Sequence, residues 1–86
     1  MEEKIRSFLE ANFLFEFGEE IAADTDLFKA GIIDSFGYVQ LVGFLKTTFH
    51  ITFTDEEFLT NILVSLNQIL TFVHAKQALL DRVGRD

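Results

Sequence analysis

The chain has 86 residues, 49% of them hydrophobic and 14% aromatic, with eleven phenylalanines and no tryptophan, proline or cysteine. Such a composition is too rich in core formers for a disordered chain, and the length gives one small domain, residues 1–86, with little room for a deep catalytic cleft. Fourteen acids against seven bases give a net charge of −7, which repels nucleic acid and anionic membranes and favours partners with basic surfaces, while the missing cysteines exclude disulfides, a cysteine nucleophile and thiolate metal ligation.

Met1-Glu2-Glu3 lacks the basic and then apolar layout of a secretion signal, and no apolar run approaches the roughly 20 residues of a membrane span. The expected location is therefore cytoplasmic. The acids fall in small clusters, Glu2-Glu3, Glu19-Glu20 and Asp55-Glu56-Glu57, and read as solvated surface, not as a charged tail. The chain has its own Met1 and little flanking sequence, as expected of a free-standing protein, with a monomer as the default state.

Residues 2–15 read as a first amphipathic helix, with Ile5, Phe8, Leu9 and Phe13 at helical spacing, Glu3, Lys4, Arg6 and Glu10 on the other face, and Gly18 as the stop signal. Residues 18–34 carry Gly18, Asp24, Thr25, Asp26, Gly31 and Asp34 among scattered apolar residues, the composition of a long loop. A loop of that length in a small domain signals function or packing by its own side chains, and Leu27, Phe28, Ile32 and Ile33 are the residues expected to pin it.

A second helix is expected from Ser35 to Phe49. His50-Ile51-Thr52-Phe53 alternates briefly like a strand but has nothing to pair with, so it reads as an extended connector. Thr54 followed by Glu57 fits a capping box, after which Phe58, Leu59, Ile62 and Leu63 form a short third helix. Ser65 and Gln68 repeat the device, opening a fourth helix at Leu66 with Ile69, Leu70, Val73 and Leu79 on its apolar stripe and an end near Val83-Gly84. The predicted fold is all-α, a small four-helix bundle with one long loop between the first two helices and a short third helix.

At about 100° per residue, the second helix separates into two groups. Tyr38, Leu41, Val42, Leu45 and Phe49 form a core stripe. Phe36, Val39, Gln40, Gly43, Lys46, Thr47 and His50 fall opposite, with Gly37 and Phe44 towards one flank. Phe36 and Val39 on that outward side admit two readings, cover by the long loop or a docking surface for a partner. Gly43 inside a helix costs on the order of 1 kcal/mol against alanine, which points to close approach of something at that position.

Ser35 stands at the mouth of this helix. An Asp-Ser pair there satisfies orphan backbone N–H groups, and a phosphate on the serine would sit at the positive end of the helix dipole. The stretch "DTDLFKAGIIDSFGYVQLVGFLKTTFHITFTDEEF" resembles the acyl carrier proteins and the related peptidyl and D-alanyl carriers, whose attachment motif is Asp-Ser-Leu or a close variant after a Gly-containing loop. "GIIDSF" is the specific part, supported by "VQLVGFL" and "TDEEF" at the expected distance.

The resemblance implies that Ser35 is the attachment point of 4′-phosphopantetheine and that Asp34 helps present it to a phosphopantetheinyl transferase. The arm's thiol would supply the sulfur the chain lacks. Phe36, Val39, Gln40, Gly43, Lys46 and Thr47 become partner contacts, serving an acyl- or aminoacyl-loading ligase and downstream synthase or transferase enzymes. The carrier makes no bonds itself, and its cargo could belong to fatty acid, polyketide, nonribosomal peptide or amino acid transfer pathways. Family members commonly carry glutamates along this helix, whereas here the positions read Gln40, Lys46, Thr47 and Thr48, which points to dedicated partners. Phe28 and Phe44 could line a shelter for an acyl chain, but bulky aromatics are expected to fill the space.

Two other functions are weighed against the carrier. A helical interaction module could keep the carrier fold without the arm. An enzyme is disfavoured because His50 and His74 are far apart in sequence, and Asp24, Asp26 and Asp34 lack the spacing of a calcium loop.

Overall fold

Glu2–Phe13 form α1, burying Ile5 and Leu9 one turn apart. The computed structural model describes residues 1–60 and 62–84, with side chains described as far as Leu80. The helix stops short of the predicted residue 15, and Gly18 is not its stop. Leu14 closes it in the left-handed conformation (φ 56°, ψ 53°), its N–H donating to the carbonyl of Glu10. Beyond it Phe15 and Phe17 are half-buried while Glu16 between them is exposed, the alternation of period two of extended chain. The carboxylate of Glu10 accepts from the Phe17 N–H at 2.9 Å, and Arg6 lies 5.2 Å from the Phe17 ring centroid, so polar groups of α1 fold the chain back along it.

The connecting loop is pinned as expected at Leu27 and Ile33, both buried, with Phe28 and Ile32 half-buried. Asp26 organises its middle, its carboxylate accepting from the N–H groups of Phe28 and Lys29. Gly31 makes the reversal at φ 77°, a backbone conformation that strains residues with a Cβ. Two backbone bonds then tie the loop to the start of the last helix: Leu27 N–H to Val64 and Asn67 N–H to Ala23.

α2 spans Ser35–Phe49, as the sequence predicts. Its stripe of Tyr38, Leu41, Val42, Leu45 and Phe49 is buried throughout. Each such side chain stabilises the fold by about 1.5–3 kcal/mol relative to exposure. His50 ends the helix at φ 56°, and residues 50–54 run on as an irregular connector.

α3, Asp55–Thr60, has six residues and buries none of them completely. The predicted capping box is present in both directions, Thr54 N–H to the Glu57 carboxylate and Glu57 N–H to the Thr54 hydroxyl. The expected apolar membership is not: Leu59 is 69% exposed, Ile62 is exposed beyond the helix, and Leu63, though buried, also lies beyond it. Lys76 instead holds α3 from outside, 2.7 Å from Glu57.

α4, Leu66–Gly84, packs against both α1 and α2 through Leu66, Ile69 and Val73. Ser65 accepts from the Gln68 N–H at its start, while the Gln68 side chain reaches the Val64 N–H, one residue earlier than in the standard box. Leu79 does not extend the core stripe; it is 56% exposed, because the helix has run past the elements that cover its first turns. The result is a four-helix bundle whose core draws on α1, the loop, α2, the connector and α4. Among the described residues there is no strand.

Candidate functional site

The first turn of α2 is built by Asp34. Its backbone is extended (φ −110°, ψ −175°), and its carboxylate accepts the Gly37 N–H at 2.8 Å, satisfying one of the donors a helix start leaves unpaired. Its carbonyl accepts from Tyr38. The sequence makes Asp and Ser joint candidates for this role, but Asp34 alone fills it. Ser35, the next residue, is exposed, and among the described residues no hydrogen bond engages its hydroxyl.

Three groups fix this turn against the body of the protein. Ile33 is buried just before it. Tyr38 is buried just after it, its ring 5.7 Å from that of Phe28 and its hydroxyl accepting the Leu63 N–H at 3.2 Å. Burial pushes the Tyr38 phenol above its ordinary pKa, outweighing the opposing effect of that hydrogen bond. The third is Phe13 of α1, whose ring occupies the space where a side chain on Gly37 would go. A Cβ built at Gly37 would stand 2.7 Å from Phe13 Cε1, closer than carbon atoms pack.

Phe36, Val39, Gln40, Gly43, Lys46 and Thr47 all lie exposed on the outward side of α2, with Phe36 74% and Val39 55% accessible. The loop does not cover them, which removes one of the two readings of that surface. Beside them a groove of about 300 Å³ runs between α2 and the start of α3, with Val39, Val42, Gly43, Phe53 and Phe58 and the charged Lys46 and Asp55 among its lining. Among the described residues, no atom lies within 4 Å of a Cβ built at Gly43, so no close approach by any of them accounts for a glycine there.

Phe28 and Phe44 are packed against neighbours. Phe44 stacks on Phe8 at 4.1 Å and meets Phe49 edge-on at 6.1 Å. Asp26 and Asp34 each spend their carboxylate on backbone N–H groups, as loop and cap residues do. His50 sits at the end of α2 and His74 is exposed on α4.

The role of Gly37 is the feature that sequence reading missed. Its only trace was the spacing of Gly37 and Phe44, seven residues apart and so on one side of α2, where α1 could reach both.

A phosphodiester on the Ser35 oxygen fits these surroundings. The hydroxyl is exposed and, among the described residues, has no hydrogen-bond partner, and it lies at a helix N-terminus, where backbone N–H groups favour an anion. Comparison with curated proteins gives no match. Residues 16–73 match the family model described as the phosphopantetheine attachment site, a stretch that runs from the long loop through α2 and α3 into α4. Domains of this family carry covalent 4′-phosphopantetheine and are carriers, not catalysts. The match covers most of the chain, and with the all-helical bundle it settles the family: the chain belongs to the phosphopantetheine-binding carriers of the acyl carrier protein type.

Proposed function

We propose that Ser35 is the attachment residue and that the whole of residues 1–86 acts as one discrete carrier domain, a cytoplasmic monomer in its working state. The observation that carries this reading is the separation of duties at the start of α2: Asp34 caps the helix, so the Ser35 hydroxyl is left exposed and unengaged. A phosphopantetheinyl transferase would use coenzyme A as donor. The Ser35 oxygen attacks the phosphorus bearing the pantetheine, the pyrophosphate bond to the nucleotide breaks, 3′,5′-ADP leaves, and the serine proton passes to a base of the transferase. Once attached, the arm supplies a terminal thiol on which acyl or aminoacyl groups ride as thioesters.

Asp34 contributes by setting the direction of the first helical turn, so that the serine leaves the surface beside the face that partners grip. That face is Phe36, Val39, Gln40, Gly43, Lys46 and Thr47. Its exposed apolar side chains and single cation differ from an acidic docking face, and charge complementarity then favours a loading ligase and downstream synthase or transferase enzymes that are dedicated to this carrier. Fatty acid, polyketide, nonribosomal peptide and amino acid transfer chemistry all use such a thioester, and the cargo selects among them.

The test is intact mass after incubation with coenzyme A and a broad-specificity phosphopantetheinyl transferase, beside Ser35→Ala. One phosphopantetheinyl group gained by the wild type and absent from the variant is expected. No gain on folded protein with several transferases would leave an armless interaction module as the better account.

A further inference from the structure

We infer that Phe13 is a positioning residue for modification of Ser35, acting through its contact with Gly37; this rests on the reading of Ser35 as the attachment point. Phe13 lies outside the family match, which begins at residue 16. Its ring meets Phe8 edge-on at 6.2 Å, and Phe8 in turn stacks on Phe44 of α2. The contacts therefore close a circuit: α2 at Phe44, across to Phe8 and Phe13 on α1, and back to α2 at Gly37. The pairing of 8 with 44 and of 13 with 37 makes the two helices antiparallel, so the last turn of α1 lies against the first turn of α2.

Gly37 is two residues beyond Ser35, about 3 Å along the helix, and its N–H is the donor that Asp34 accepts. Whatever sets Gly37 against Phe13 thus sets both the cap and the serine. Glycine leaves the ring its place, because Phe13 Cε1 would be 2.7 Å and Cζ 3.2 Å from a Cβ, so that one of the two must shift. Any side chain there must displace the ring or tilt the start of α2 away from α1; the tilt carries Ser35 with it, and loss of the ring removes the support behind the turn.

The experiment is a double-mutant cycle of Gly37→Ala and Phe13→Leu, read as steady-state loading by coenzyme A and a transferase, with circular dichroism melts and the nuclear Overhauser contact between the Phe13 ring and the Gly37 Hα protons in the unmodified protein. G37A alone is expected to lower loading kcat/KM about tenfold, the scale of a sub-ångström misplacement, with KM for coenzyme A unchanged and the folded fraction intact. F13L alone should lower it about threefold, and the double variant should return to within about twofold of F13L, since the shorter side chain frees the space. Loading of G37A at the wild-type rate, a double variant no better than G37A, or absence of the Phe13–Gly37 contact in the wild type overturns the inference. Should G37A fail to fold, F13L decides, and wild-type loading by F13L overturns it. Failure of the wild type itself to load, or loading that survives Ser35→Ala, strikes the attachment reading instead.

Discussion

α2 and α3 both begin on a capped turn, and there the likeness ends. α2 has its cap from Asp34 and then buries Tyr38, Leu41, Val42, Leu45 and Phe49. α3 has a complete Thr54–Glu57 capping box but no fully buried residue, and is held by the Lys76–Glu57 ion pair and by half-buried Phe58, 6.1 Å from Tyr38. Local hydrogen bonds suffice to start a helix, whereas burial decides how firmly it stays. The element that presents Ser35 is therefore the firm one, and the element across the groove from it is the adjustable one.

The widest gap between them is in core substitution. Leu41→Ala, at a side chain with no exposure, should destabilise the protein by about 2–5 kcal/mol in urea unfolding, while Leu59→Ala on α3 should change it by less than about 0.5 kcal/mol. Equal effects would erase the distinction. A middle case is the tie between the first turn of α2 and the segment that follows α3. Tyr38→Phe leaves the buried Leu63 N–H without its acceptor and should cost about 1–3 kcal/mol. It should also remove an alkaline response. The raised phenol contributes stability that is fully present below the ordinary tyrosine pKa of 10.0 and is lost as pH rises through the folded value.

The smallest effect belongs to α3. Lys76, first by its hydrogen bond, and then the Thr54 N–H lower the Glu57 pKa below its ordinary 4.5. The contribution is therefore present above that value and is lost as pH falls through the depressed folded pKa. Glu57→Gln should flatten that acid-side dependence and cost at most about 1 kcal/mol at neutral pH, as expected for a pair that remains partly solvated. A larger loss, measured by melting at pH 7 and pH 3, would show α3 to be as firmly anchored as α2.

What the sequence made legible follows the same division. The limits of α2, its two faces, the Thr54–Glu57 box and the Asp34-Ser35 start could all be read, because each rests on interactions within a few residues along the chain. The end of α1 could not be placed by glycine, since Leu14 takes the left-handed conformation without being one; the alternation from Phe15 to Phe17 was the usable sign. Leu59 and Leu79 were assigned to stripes by spacing alone, yet whether an apolar residue is covered depends on which distant element lies over it. Gly37 was obscure for the same reason, for its constraint comes from a ring twenty-four positions earlier in the chain.

The paired backbone bonds from Ala23 and Leu27 to Asn67 and Val64 join the loop to the part of the chain made last. Each closes a span of about forty residues and so carries the entropic cost of bringing those distant segments together. The loop that delivers the chain to Asp34 cannot settle until the beginning of α4 has arrived. A chain still emerging during synthesis, with α2 already wound but α4 not yet made, lacks the partner that fixes this approach. The approach to Ser35, the proposed attachment residue, is thus completed only by the part of the chain made last.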